Sequence, residues 1–222
     1  MIVSIHQPAY IPWLGYFDKI AKSDVHIFFD DAEYSKNNLF NRNKIKTANG
    51  WQWLTIPVNY KSDNLINETK IDNTIDWQKK HWKTICLNYG QAKKFQSLAG
   101  TFNKFYQKDW KYLADLTIEM NTAICQMLKI KTKLIKSSKL KVIGKGNVKL
   151  INLCKKVKAN TYLSGQGAKI YMDDAMFQRY NIKVKYQQFK SLIYQQLWGD
   201  FIPDLSIIDY LFNQGIPKFN NH

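Results

Sequence analysis

His6 opens the run His6-Gln7-Pro8-Ala9-Tyr10-Ile11-Pro12-Trp13-Leu14-Gly15-Tyr16. Pro8 and Pro12 fix φ just beyond it, and each forces the residue before it into an extended shape. A histidine on so stiff a loop suits a general base, a phosphate contact or a ligand, against the plainer reading of an imidazole that tethers its own turn. Gln7, Tyr10, Trp13 and Tyr16 share the stretch and are read as substrate contacts. Asp30-Asp31 follows a short apolar run and would position a substrate amine or join in proton transfer. A divalent cation is the other use of such a pair, and a loop turn with Asx hydrogen bonds the plainest one. No metal-ligand set is assigned. Arg42 is one of only two arginines among 33 basic residues, a planar clamp for carboxylate or phosphate. Tyr34, Asn41, Asn43 and Lys44 surround it as further binding candidates. Ser164-Gly165-Gln166-Gly167-Ala168, with Tyr171 beyond, has the small side chains that let a backbone approach a phosphate or sugar, or is a tight turn. Asp209 sits one turn into a helix that Ser206 would cap; it faces the site or is a solvated first-turn carboxylate. His26 falls mid-strand and reads as structural, His81 lies in an aromatic helical stripe and reads as core, and His222 is terminal.

These groups need elements to hold them. Ile2 to Ile5 is short and β-branched, hence a buried strand, and Trp13 starts a helix that runs to about Ala21. Val25 to Phe29 is a second strand, parallel to the first because a helix separates them. Asn41 to Lys44 reads as a polar loop before a hairpin, with Ile45 to Thr47 and Trp51 to Val58 joined at Gly50. Thr69 to Ile71 adds a short strand. From Trp77 to Lys129 apolar and aromatic residues recur at three and four, giving three helices separated at Gly90 and Gly100. Lys131 to Lys136, Thr161 to Gly165 and Ile182 to Phe189 are strands, with Val148 to Lys156 and Asp173 to Tyr180 helical. Strand–helix alternation at both ends implies an α/β fold with a mainly parallel, Rossmann-like three-layer sheet. The whole of 1–222 reads as one domain, with 77–129 a helical insertion or cap. His6-Gln7, Asp30-Asp31, Ser137-Ser138 and Ser164 to Gly167 then all fall at carboxyl ends of strands, and a parallel sheet would bring them to one edge.

The bulk composition narrows the classes. A hydrophobic share of 45% with 14% aromatic residues supports a packed core. No apolar run approaches the ~18 residues of a membrane span, and no leader pattern opens the chain, so the expectation is a cytoplasmic protein with no membrane span. Cys86, Cys125 and Cys154 are scattered, which fits reduced thiols better than disulfides or zinc. The net charge of +16 is almost all lysine in a chain rich in Ile and Asn. It reads first as composition drift on a solvated surface and only second as a nucleic-acid interface.

The opening run, together with Asp30-Asp31-x-x-Tyr34-Ser35-Lys36, Asn41 to Thr47 and Asn49 to Val58, resembles the WbqC-like protein family. So do Tyr162 to Tyr171 and the run from Phe201 to Gly215. The resemblance spans nearly the whole chain. It implies a role beside bacterial O-antigen and surface-polysaccharide biosynthesis, and transfer of glycine or another acyl group to a nucleotide-linked amino sugar. It supplies no residue roles. The leading expectation is that acyl transfer, with His6 as base, Asp30 or Asp31 at the amine, and Arg42 with the Ser164 loop on phosphates or a carboxylate. The cofactor stays open between a nucleotide and an activated acyl donor, and the partner is a small molecule, a nucleotide-linked sugar. A nucleotide-binding or nucleotidyl-transferring enzyme is the second reading, although Gly15-Tyr16 stands where such enzymes carry a second histidine. A non-enzymatic module that binds tRNA or another polyanion is the third.

Overall fold

A computed structural model describes residues 1–61 and 63–219, and His222 lies outside them. The chain runs β1 (Ile2–His6), α1 (Leu14–Ala21), β2 (Val25–Phe28), β3 (Arg42–Thr47), β4 (Gly50–Thr55), β5 (Val58–Asn59) and β6 (Lys70–Ile71). Three helices follow, α2 (Trp77–Tyr89), α3 (Phe95–Gln107) and α4 (Leu113–Met127). The chain then returns through β7 (Lys133–Lys136), α5 (Ser137–Leu140), α6 (Gly146–Lys156), β8 (Thr161–Ser164), α7 (Asp174–Arg179), β9 (Lys183–Tyr186) and α8 (Ile207–Gln214). Five strands form one sheet in the order β7-β2-β1-β8-β9, with every pairing parallel. The fold is therefore α/β, a Rossmann-like three-layer arrangement. No helix among the described residues is long and apolar enough to cross a membrane.

The layers follow from strand alternation. Val3, Ile5, Val25 and Ile27 face one core, shared with Ile151, Leu153 and Cys154 of α6 and Phe177 of α7. The opposite face meets α1, and a larger core there joins α1, the three middle helices and α8. Ser4 and His26 stand opposite each other in the β1–β2 register on this second face, and Ser4 Oγ lies 2.8 Å from His26 Nδ1.

Two sequence expectations need correction. Asn41 to Lys44 is not a loop, because β3 begins at Arg42 and pairs with β4 from Arg42↔Thr55 to Thr47↔Gly50. Gly100 does not end a helix. It rides inside α3, where Phe102, Phe105 and Tyr106 carry the buried stripe past it. A single helical glycine costs only about 1 kcal/mol, less than burying three aromatic rings returns. The break comes instead between Gln107 and Leu113, where Trp110 Nε1 donates to Phe105 O at 2.8 Å.

The loop between β1 and α1 is held by backbone satisfaction from afar. Asn121 Nδ2 donates to Ala9 O at 2.9 Å, Asn43 Nδ2 to Ile11 O at 2.9 Å, and Ser206 Oγ to Ile11 O at 2.7 Å. Ile11 has φ of 37°, a costly conformation for a β-branched residue, and these bonds retain it. Trp13 then folds over the start of α1. A Cβ on Gly15 would lie 2.3 Å from Cη2 of the Trp13 indole, whose ring also meets Phe189 edge-on at 5.2 Å. Gly15→Ala should therefore displace Trp13 and lower stability by about 1–3 kcal/mol, read as a shifted urea midpoint at constant slope. Trp13→Leu in the same chain should restore some of the loss; an unchanged midpoint in Gly15→Ala would show that the indole is not confined.

Candidate functional site

The strand order sets the place. Counting only sheet strands in chain order, the sequence across the sheet is 3-2-1-4-5, so the chain steps outward from β1 through β2 to β7 and then crosses back to β8. The carboxyl ends of β1 and β8 diverge there into separate loops, which opens a crevice at the sheet edge. A cavity of about 470 Å³ occupies that position. Ile5, His6 and Gln7 line it from the end of β1, and Ser164, Gly165 and Gly167 from the end of β8. Gly146 and Asn147 enter from the first turn of α6, Lys19 from α1, and Tyr171 from the rim.

His6 is half-buried, and its Nδ1 lies 3.0 Å from Gln7 O. A carbonyl only accepts, so Nδ1 carries the hydrogen and the lone pair sits on Nε2. Nothing among the described residues hydrogen-bonds that nitrogen. Burial first, and the nearby Lys19 charge second, push the imidazole down to about 3, so the ring is neutral at ordinary pH. Tyr16 supports it edge-on at 5.1 Å and donates to Gln7 O at 3.3 Å. The Gln7 side-chain amide makes no hydrogen bond among the described residues, which leaves it free for a ligand.

Lys19 carries no motif that marks it in the sequence. Its side chain is 3% exposed and lines the cavity, and Nζ has no hydrogen bond or ion pair among the described residues. The neighbouring Asp18 points elsewhere, pairing with Lys22 at 2.9 Å and accepting from Gln187 Nε2 at 2.8 Å. Helical side chains lean toward the helix N-terminus, which carries the Lys19 stem back toward the carboxyl edge of the sheet. Burial lowers its pKa from 10.5 to about 7. One signal was present in principle: a lysine between Phe17 and Ile20, in a helix whose eight residues are all buried.

The four polar sets do share the carboxyl edge, but they do not share one cavity. His6, Gln7, Ser164, Gly165 and Tyr171 line it. Gln166 stands beside it and donates to Gln187 O at 2.7 Å. Asp30 and Asp31 lie one strand over and are spent on structure. Asp30 accepts from Ser138 N at 3.0 Å and Ser138 Oγ at 2.7 Å, while Asp31 pairs with Lys149 at 2.7 Å, and the single Ser137 hydroxyl hydrogen is shared between the two carboxylates. They stitch the end of β2 to the start of α5.

The remaining candidates fall in the core or on the hairpin. Tyr10 is fully buried against His81 at 2.9 Å and Tyr106 at 2.7 Å. Trp13 covers Gly15, and Tyr34 packs on Phe40 and Tyr60. Asn41 donates to Ile56 O at 2.8 Å, and Asn43 clips the loop as described. The Arg42 guanidinium stacks 4.3 Å from the Trp53 ring and donates to Asn37, and Lys44 lies 4.1 Å from the Trp51 ring. Asp209 is neither in the cavity nor solvated. It is fully buried and accepts from Tyr194 at 2.7 Å, Tyr89 at 2.9 Å and Gln196 at 2.9 Å. Burial raises its pKa and those bonds oppose the rise.

Comparison with known proteins gives one informative relative. The chain is 40% identical over 217 residues to a Mycobacterium tuberculosis protein named Uncharacterized protein Rv1507c, covering 96% of this chain and 94% of that one. No solved structure matches the chain. The family model of the WbqC-like proteins matches residues 7–221, from the loop after β1 to beyond α8, and this chain belongs to the WbqC-like protein family.

Proposed function

We propose that the chain is an enzyme of bacterial surface-polysaccharide precursor synthesis that acylates the amine of a nucleotide-linked amino sugar held between the ends of β1 and β8. The observation that carries the reading is a neutral His6 whose Nε2 is hydrogen-bonded by none of the described residues and which lines a cavity at the switch point of a parallel sheet. In amide formation the amine attacks the acyl carbon of an activated donor, and its nitrogen must then lose a proton as the leaving group departs. In this reading the Nε2 lone pair takes that proton, and the anionic substrate offsets the Lys19 charge that, after burial, helps hold the free imidazole near 3. The Gln7 side chain is placed to accept from the amine, the role that the sequence suggests for Asp30 or Asp31, whose oxygens are already engaged. Arg42 is likewise removed from the substrate, because its fork is committed to Asn37 and Trp53. The class of pathway is the one that the resemblance to the WbqC-like family implies.

The test is direct. Purified chain is incubated with a panel of uridine-diphosphate amino sugars and activated acyl donors, including aminoacyl esters and thioesters, and the sugar nucleotide is followed by mass spectrometry. The expected result is a product heavier by one acyl group. Binding of sugar nucleotides without acylation by any donor class would overturn the reading. Nucleotidyl transfer is the second reading, favoured by the strand order. Pyrophosphate release from a nucleoside triphosphate with Mg²⁺ and a sugar phosphate would establish it instead.

A further inference from the structure

We propose that Lys19 and the open first turn of α6 form a subsite for a phosphoryl anion, which in the reading above is the diphosphate of the nucleotide-linked substrate. An ammonium taken out of water without a partner is a net cost to the fold. Here Asp18 is adjacent in sequence yet serves Lys22 and Gln187, so Lys19 is left without a counter-charge. Among the described residues no aspartate or glutamate lines the cavity. An anionic ligand would supply the missing partner and hold the lysine in its charged form.

Helix α6 supplies the other half. It spans eleven residues, and no side chain caps its N-terminus at Lys145. Gly146 and Asn147, its first two residues, line the same cavity as Lys19. Unsatisfied N–H groups and the positive end of the helix dipole bind phosphate groups for general electrostatic reasons. Asn147 is held in place by its own side chain, which donates to Tyr171 O at 3.1 Å.

Two glycines keep the space open. Gly165 and Gly167 line the cavity with no positive φ, so their backbone does not require glycine. A Cβ on Gly167 would meet nothing within 4 Å, and one on Gly165 would meet only Lys19 Nζ, at 4.0 Å. What glycine provides at Gly165 is room beside the ammonium, and at Gly167 open space in the same cavity, for a group that backbone N–H can approach. A lysine that a bound anion keeps protonated, plus a helix terminus, with small residues around them, suits a phosphoryl group better than a carboxylate.

The experiment is calorimetric titration of the whole chain with inorganic pyrophosphate, uridine diphosphate, uridine and acetate, in parallel with thermal unfolding. Pyrophosphate and uridine diphosphate should bind and raise the unfolding midpoint, while uridine and acetate should do neither at equal concentration. Lys19→Met should weaken pyrophosphate by roughly 10–100-fold, the worth of a charged hydrogen bond. Lys19→Arg should retain some of the binding, and Lys22→Met should match the unaltered chain. Gly167→Leu should fold normally and bind no pyrophosphate. Equal pyrophosphate affinity in Lys19→Met would overturn the subsite, and acetate binding at the same site as tightly as pyrophosphate would overturn its phosphoryl character. The two proposals fail separately. Loss of pyrophosphate binding in Lys19→Met with no acyl acceptor ever found leaves the subsite and removes the transfer reading. Acyl transfer by Lys19→Met at an unchanged KM removes the subsite and leaves transfer.

Discussion

His6→Gln lowers the turnover of acyl transfer by about 10²–10⁴-fold, with KM for the sugar nucleotide little changed. Glutamine keeps an amide donor near the position of Nδ1 and so can still reach Gln7 O, but it has no lone pair that takes a proton at neutral pH. The imidazole is neutral in the folded chain, so its removal takes away no charge interaction, and the unfolding midpoint should move little. The pH profile adds a signature. With burial and Lys19 holding its pKa near 3, His6 is unprotonated in the free protein, and kcat/KM should show no acid limb from it between about pH 5 and 7. An anion beside Lys19 cancels one of the two depressing influences, so the acid limb of kcat should lie at higher pH than that of kcat/KM. Turnover within about threefold of the unaltered chain would remove His6 from the chemistry.

Lys19→Met should stabilise the ligand-free chain, by an amount that depends on pH. The folded pKa of Lys19 is about 7 against 10.5 for the unfolded chain, so between those values the unfolded state binds more protons and stability rises with pH. The penalty is fully present below about pH 7, falls as the pH rises past that value, and is gone by about 10.5. Its size follows from the shift, on the order of 5 kcal/mol. The gain from Lys19→Met, measured by urea unfolding at a series of pH values, should therefore be largest near pH 7 and shrink steadily toward pH 10. Saturating pyrophosphate should reduce the difference, because it compensates the charge only in the unaltered chain. A variant that is less stable than its parent at pH 7, or a gap that does not vary with pH, would mean that the ammonium is already compensated.

How much of this could be read from the sequence depends on which physical effect set each position. The strands at both chain ends, their parallel direction and the gathering of polar residues at the carboxyl edge were legible, because alternation and intervening helices leave few other arrangements. The individual contacts were less legible. Asn41, Asn43 and Asp209 are polar residues in distinctive runs, which reads as ligand binding, yet they pair buried carbonyls and hydroxyls within the fold. Polar residues that complete backbone hydrogen bonding look the same in one dimension as polar residues that face a substrate. Arg42 stands out by its rarity, but rarity does not say which way a β-strand residue points, and Trp53 lies across the hairpin from its neighbour Lys44 to receive it. Lys19 escapes notice for the opposite reason. In a chain this rich in lysine one more draws no attention, and only the complete burial of α1 makes it unusual.

The clips on the loop after β1 bear on the order in which the protein takes shape. Ala9, Ile11 and Pro12 offer carbonyls that wait for Asn121, Ser206 and the backbone of Ile207, and Ser206 is 195 residues from Ile11 along the chain. Contacts of such separation form after local ones, because the closure entropy comes first. The strained turn at Ile11 therefore cannot be set when β1 and α1 first pair. Asn43 and Asn121 hold it in part, and the last of its clips arrives when α8 docks, so the wall of the cleft that carries His6 is finished by the far end of the chain. A chain halted before Ser206 would hold the sheet strands and still lack the bonds from Ser206 and Ile207 that close its own first loop.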